Sequence, residues 1–324
     1  MDKHQELGNT RAARAAALGQ AQLLIEALPW IKESAGKTVV VKYGGAAMTD
    51  DALRADVMSD IVLMKIIGLN PIIVHGGGKD ITAYCEKLDL PVEFKDGFRV
   101  TSPEVMDIVK MVLIGKVNQE LVAQLNEHGH LAVGLSGADG HILKARQKAP
   151  GMEQVGVVDE VDTTLLIDLV QGDYIPVIAS VGVGADGAAY NINADLAAGA
   201  IAAAIGAQKV VFLTDVDGLY EDFEDKSTLI SLMQLAEAKA MLESGTLATG
   251  MIPKMEACVG ALSAGVSRAY ILNGTLPHSL LLEMFTDQGV GTMILQDNED
   301  ALPDDFIEYP EGNLASKLHG KETG

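Results

Sequence analysis

Two glycine clusters stand directly after apolar runs: Gly44-Gly45 closes Val41-Lys42-Tyr43-Gly44-Gly45, and Gly76-Gly77-Gly78 closes Val74-His75-Gly76-Gly77-Gly78-Lys79. Glycine lets a backbone approach a ligand closely, and amides that lead into a helix aim their N–H groups at an anion. Either cluster alone also fits a plain tight turn between a strand and a helix. Together, with Lys42 two residues ahead of the first, they could cradle one phosphoryl group from two sides. A second lysine, in Gly250-Met251-Ile252-Pro253-Lys254, falls in the first turn of a helix. A cation there opposes the helix dipole and needs an anionic partner. In Asn191-Ile192-Asn193-Ala194-Asp195 a dense polar cluster opens an Ala-rich apolar helix, with Asn193 placed as an N-cap and Asp195 in the first turn.

The common phosphate fingerprints do not account for these turns. A P-loop has a glycine five residues before its Gly-Lys pair and Ser or Thr after it, whereas Gly78-Lys79 has Ile73 and Asp80 in those places. The spacing GxGxxG occurs at Gly182, Gly184 and Gly187, which on its own would suggest a nicotinamide oxidoreductase. The next residues, Ala188-Ala189-Tyr190-Asn191-Ile192-Asn193, read as the return strand of a hairpin rather than as a helix start.

The elements that must position these residues alternate. Runs at Thr38 to Val41, Pro71 to Val74, Leu131 to Leu135, Ile175 to Val181, Lys209 to Leu213 and Ala269 to Leu272 read as buried strands. Between them Leu53, Val57, Ile61 and Met64 repeat at helical spacing, and Ser102-Pro103-Glu104 opens a helix with a capping residue and Pro at the first position. Further helices are expected over Asn193 to Ile205, Leu235 to Ser244 and Pro253 to Ala264. This pattern predicts an α/β protein with a mostly parallel central sheet covered on both faces, a three-layer αβα sandwich. Polar hairpins near Ile142 to Arg146 and Gln154 to Val158 interrupt it, as covering elements would. Residues 1–36 form an N-terminal helical extension, with a partial apolar stripe from Leu18 to Ile31 interrupted by Pro29. Residues 297–324 form an acidic tail, expected to be disordered, with eight acidic residues and two lysines.

Over 324 residues, 24 Lys+Arg against 45 Asp+Glu leave a formal charge of −21. That balance argues against nucleic acid and against an anionic membrane surface as partners. The first residues are charged and lack the apolar core of a signal peptide, and Cys85 and Cys258 stand alone. Both features predict a cytoplasmic protein with free thiols and without a metal cluster.

The segments VVVKYGGAAM, PIIVHGGGKDI, DGFRVT, NINADLAAGAIA, KVVFLTDVDGLY and TGMIPKMEA resemble, in order across residues 37–296, those of the amino acid kinase family. HGGG followed by GFRVT resembles the branch whose acceptor is N-acetylglutamate. The resemblance implies a lobe for that acceptor over residues 37–190 and a lobe for ATP over 191–296. It implies Lys42 and Lys254 as transition-state lysines, with Asp195 positioning them. Gly44, Gly45 and Gly76 would surround the transferred phosphoryl group, and Gly77, Gly78, Arg99 and Asn191 would bind the acceptor, Arg99 at its α-carboxylate. Magnesium would arrive with ATP, mostly held by phosphate and water. Lys79 departs from the proline that many members of the family carry after the glycines.

The run from Pro277 to Met293 also resembles the arginine-inhibited members, which carry an amino-terminal helical extension. This implies L-arginine as inhibitor, with Lys209, His278, Glu283 and Gly289 as effector contacts, and a hexamer built as a trimer of dimers. No residue pattern indicates a nitrogen-signalling PII protein as partner. A non-catalytic arginine sensor on the same scaffold is the alternative, disfavoured by the presence of both lysines and the aspartate.

Overall fold

The computed structural model of the chain describes residues 24–48, 50–95, 97–286 and 289–297. At its centre an eight-stranded sheet is formed by β1 (Thr38–Tyr43), β2 (Asn70–His75), β3 (Ala132–Ser136), β4 (Ile175–Ala179), β5 (Lys209–Thr214), β6 (Leu232–Gln234), β7 (Arg268–Asn273) and β8 (Thr292–Leu295). The spatial order is β6-β8-β7-β5-β1-β2-β4-β3, and every pairing is parallel except β7 with β8. The helices are α1 (Leu28–Ser34), α2 (Asp51–Ile66), α3 (Gly78–Lys87), α4 (Pro103–Lys110), α5 (Gln119–Asn126), α6 (Thr164–Gln171), α7 (Ala194–Ile205), α8 (Leu235–Ser244), α9 (Ile252–Ser263) and α10 (Ser279–Phe285).

Both faces of the sheet are covered, which is why its strands are nearly continuous Val, Ile and Leu. Alternation still divides them. Val39, Val41, Tyr43, Ile73, Val211 and Leu213 pack with α1 to α5 and α10, while Val40, Ile72, Val74, Val210 and Phe212 pack with α6 to α9. Lys42 follows Val41 and so belongs to the second face, the one that α7 and α9 cover. The expected three-layer sandwich is the observed one.

Local start signals behave as expected. Ser102 accepts from Val105 N at 3.3 Å and caps α4, with Pro103 in its first turn. Asn193 caps α7 by accepting from Asp195 N and Leu196 N at 2.9 and 3.2 Å. Two expectations are corrected by pairing between distant segments. The run from Ile175 to Val181 is two strands, broken at Ser180, because β4 stays in the main sheet while Val181–Gly184 turns away. The segments near 142–146 and 154–158 are not separate hairpins: Leu143–Gln147 and Val155–Val161 pair with each other. With Val181–Gly184 and Ala189–Ile192 they close a small four-stranded barrel. The GxGxxG glycines lie in the antiparallel hairpin of that barrel, Val183 opposite Ala189 with Gly187 at φ +79°, so no dinucleotide turn forms there. The boundary between residues 190 and 191 falls inside the strand Ala189–Ile192.

At the amino end the chain is helical over 24–26, breaks at Ala27, and restarts in α1 with Pro29 in the first turn. Trp30 is buried, whereas Leu24, Ile25 and Leu28 are exposed. The stripe before residue 24 and the acidic tail from Asn298 onward lie outside the described residues; Asp297 itself accepts from Ala236 N at 3.0 Å. Cys85 and Cys258 are free and buried. No helix among the described residues is long and apolar enough to cross a membrane.

Candidate active site

Tyr43 pairs with His75 at the ends of β1 and β2, so the two glycine turns leave the sheet side by side at its carboxyl edge. Later strands add first beyond β2 and then beyond β1 on the other side, which makes this edge the topological switch point where open α/β sheets bind ligands. Lys42 projects there, and its Nζ lies 3.0 Å from Asp195 Oδ1. Lys254 Nζ lies 3.1 Å from Asp195 Oδ2. The anionic partner that a lysine in the first turn of α9 needs is therefore the carboxylate in the first turn of α7. The three side chains are 10, 7 and 14% exposed for Lys42, Asp195 and Lys254. Burial on its own would push the Asp195 carboxyl up, but the ammonium groups of Lys42 and Lys254 outweigh it and hold the carboxyl below the usual carboxylate range.

Glycines set this geometry. A Cβ at Gly44 would stand 2.7 Å from Lys42 Nζ, so the lysine can fold across its neighbour only because that neighbour has no side chain. A Cβ at Gly199 would stand 2.9 Å from the Ala257 carbonyl, and its absence lets α7 and α9 approach closely enough for Lys254 to reach Asp195. Gly45 has φ +79°, a left-handed conformation that a side chain would strain. In the second turn the Gly76 N–H continues the ladder to Tyr43 O at 3.4 Å. Gly77 caps α3 and Gly78 begins it, where helix geometry provides no intrahelical acceptor for their N–H groups.

Arg99 enters from the hairpin formed by Phe94–Lys95 and Phe98–Arg99. Its Nη2 donates to Gly78 O at 2.9 Å and to Thr82 Oγ1 at 2.6 Å, and the guanidinium stacks 4.7 Å from the Phe94 ring. Nη1 is buried with no hydrogen-bond partner among the described residues, a donor that a ligand carboxylate would satisfy. Asn191 donates from Nδ2 to Thr101 Oγ1 at 3.1 Å, and Thr101 donates to Arg99 O at 2.7 Å. Lys42, Asp195, both glycine turns, Arg99 and Asn191 line one cavity of about 610 Å³. Lys254 joins it through Asp195.

Thr82 and Thr101 are the site residues that sequence reasoning leaves unassigned. Thr101 lies inside the DGFRVT segment, so the motif marks its neighbourhood. Thr82, four residues beyond Gly78 on α3, has only helical spacing to point to it.

The residues read as effector contacts divide. Lys209 starts β5 at the amino edge of the sheet, the end opposite to Lys42, and its buried Nζ donates to Ser34 Oγ at 3.0 Å. Burial lowers that ammonium to about 8 despite the nearby Glu33 carboxylate. Glu33 pairs with Arg268 at 3.0 Å. Glu283 is buried on α10, accepts from Val290 N and Gly291 N at 2.7 and 3.2 Å, and lies beside Gly289. His278 instead pairs with the buried Asp60 of α2 at 2.6 Å.

A parallel αβα sandwich without a P-loop, with two lysines bridged by a carboxylate at glycine turns on the carboxyl edge, defines a class of phosphoryl-transfer enzymes. The chain belongs to the amino acid kinase family, whose sequence model matches residues 37–273. It is 52% identical over 277 residues to an acetylglutamate kinase of Caldanaerobacter subterraneus subsp. tengcongensis, covering 85% of this chain and 93% of that one. To an acetylglutamate kinase of Nostoc punctiforme it is 50% identical over 275 residues, covering 85% and 92%. Among solved structures it resembles the N-acetylglutamate synthase of Neisseria gonorrhoeae complexed with coenzyme A and N-acetyl-glutamate, at a TM-score of 0.76 and 26% identity. That match covers 87% of this chain but 64% of the synthase. A Giardia carbamate kinase shares the fold at a TM-score of 0.63 and 17% identity, covering 82% of this chain and 100% of that one.

Proposed function

We propose that the chain transfers the terminal phosphoryl group of MgATP to the γ-carboxylate of N-acetyl-L-glutamate, giving N-acetylglutamyl 5-phosphate and ADP in arginine biosynthesis. One observation carries the reading: two lysines held by one carboxylate at the glycine turns of a cavity whose wall also holds a buried arginine. The acetylglutamate kinases matched at about half identity support the same acceptor.

The chemistry suits the residues. A γ-carboxylate with an ordinary pKa near 4.3 is ionised at neutral pH, so no general base is required. What the reaction needs is in-line alignment and compensation of charge spreading over the equatorial oxygens of the transferred group. Lys42, Lys254 and the amides of both glycine turns supply that compensation, and Asp195 holds the two ammonium groups ready before substrate arrives. Arg99 would take the α-carboxylate, with Asn191 beside it and Thr101 tying the two together. The acceptor would occupy the part of the cavity formed by residues 37–190, and ATP the side formed by 191–296. Magnesium enters as part of the MgATP substrate, held by phosphate oxygens and water.

Arginine inhibition and a hexamer are the regulatory part of this reading. The acidic Glu283 beside Gly289, on the same side of the sheet as the buried Lys209 and Ser34, suits a guanidinium ligand. Leu24, Ile25 and Leu28 offer an apolar face for another copy of the chain. The test of the activity is a hydroxamate assay for acyl phosphate with MgATP and N-acetylglutamate beside glutamate and aspartate. Acyl phosphate only with the acetylated substrate is expected; its absence, or equal rates with glutamate, would overturn the assignment.

A further inference from the structure

We propose that His75 and Asn118 are a positioning pair that aims the Gly77 N–H into the cavity, a role that rests on reading the second glycine turn as part of the phosphoryl and acceptor site. Neither residue touches the cavity, and both are buried, at 0 and 1% exposure. His75 ends β2, immediately before the turn. Its Nδ1 lies 3.0 Å from Gly76 O, and its Nε2 lies 3.0 Å from Asn118 Nδ2.

The hydrogen-bond partners fix the tautomer. Asn118 Nδ2 also lies 2.8 Å from Val177 O and 3.3 Å from Leu135 O, two carbonyls that would repel the amide oxygen if the side chain were flipped. The amide nitrogen therefore faces His75. Nε2 must accept from it, so Nδ1 carries the proton and donates to Gly76 O. Burial lowers the imidazole to about 4, which keeps it neutral at physiological pH.

In a planar trans peptide the carbonyl of residue 76 and the N–H of residue 77 point in opposite directions. Anchoring the Gly76 carbonyl on the buried side turns the Gly77 N–H away from it, toward the cavity that Gly77 lines. The π-helical segment Met111–Asn118 carries Asn118, and it also presses the turn into shape: a Cβ at Gly77 would stand 2.7 Å from Leu113 and 3.3 Å from Val117. One irregular segment thus holds the peptide plane by a hydrogen-bonded chain and confines it by packing.

Two measurements test the pair. In the full chain with 15N-labelled histidine, the His75 resonances, assigned by their loss in His75→Asn, should report a proton on Nδ1 and no titration between pH 5 and 8; a proton on Nε2, or titration in that range, overturns the proposal. His75→Asn keeps a donor near the Nδ1 position, whereas His75→Leu fills the volume without one. The Leu variant should lose at least about tenfold in kcat, the worth of one ordered hydrogen bond, with the Asn variant within about threefold of wild type. A Leu variant as active as the Asn variant would reduce His75 to core packing and refute the role. If the unmodified chain makes no acyl phosphate, the functional reading fails instead, and the tautomer measurement still decides on the pair.

Discussion

A Cβ at position 44 would stand 2.7 Å from the Nζ of Lys42, which makes Gly44 and Lys42 a single device. The lysine reaches Asp195 along a path that only glycine leaves open. Because the obstructed atom is the end of a flexible side chain, Gly44→Ala should fold with nearly unchanged stability while displacing the ammonium. A loss of about 10²-fold in kcat is expected, comparable to removing one transition-state donor. Steady-state kinetics beside a thermal melt checks both halves.

Lys42→Ala and Lys254→Ala should each lower kcat far more than they raise KM, since their charge matters most when the phosphoryl group is in flight. Near-normal turnover in either variant would remove that lysine from the mechanism.

Asp195→Asn leaves the Lys42 and Lys254 ammonium groups, 10 and 14% exposed, without their shared counter-ion, a loss of roughly 3–5 kcal/mol in denaturant unfolding. The sign of the pH effect is fixed by the depressed carboxyl. Its contribution is present above the ordinary aspartate pKa of about 3.9 and is lost as pH falls through the lower folded value. Acid unfolding of the Asn variant should lack that component.

Arg99→Lys should behave as a severe change. A lysine offers one charge where the guanidinium bonds Gly78 O and Thr82 Oγ1 with one nitrogen and keeps another for a ligand. A rise of about 10²-fold in KM for N-acetylglutamate, with KM for ATP little changed, is expected from losing a charge-assisted pair. Equal effects on both substrates would place Arg99 elsewhere in the reaction.

Lys209 predicts an effect of the same sign at alkaline pH. Its folded pKa of about 8 lies below the ordinary 10.5, so between those values the unfolded chain binds more protons and stability rises with pH. The gain is at most roughly 3 kcal/mol, and Lys209→Met should flatten it. Unfolding free energies from pH 7.5 to 10.5 for both proteins make the comparison.

Removal of residues 1–26 should leave a folded enzyme that elutes as dimers, because Trp30 and Ser34 remain to pack and to satisfy Lys209. A cut after residue 34 takes away those contacts and should destabilise the fold as well. An intact hexamer after the shorter cut would refute the contact of Leu24 and Ile25 with another copy of the chain.

The sequence by itself determined what is local. Buried parallel strands announce themselves as β-branched runs, Ser102 and Asn193 cap helices within three residues of themselves, and a lysine in a first helical turn demands an anion wherever the chain finds one. These signals are enough to single out both glycine turns, Lys42 and Lys254 as candidates, and the motif resemblance adds Arg99, Asn191 and Asp195. Tertiary structure decided what depends on distant partners. The break at Ser180 exists because two sheets compete for one run, and the barrel segments choose each other rather than their neighbours. Gly199 matters to the approach of α7 and α9 only because Ala257 packs on it, and His75 orders the turn only because Asn118, 43 residues away, supplies the donor. His278, chosen from the same run as Glu283, turns instead to Asp60 on another helix. Periodicity and capping act over a few residues and can be read along the chain, whereas close approach and the direction of a buried hydrogen bond are set by the packing of elements that the chain order leaves free.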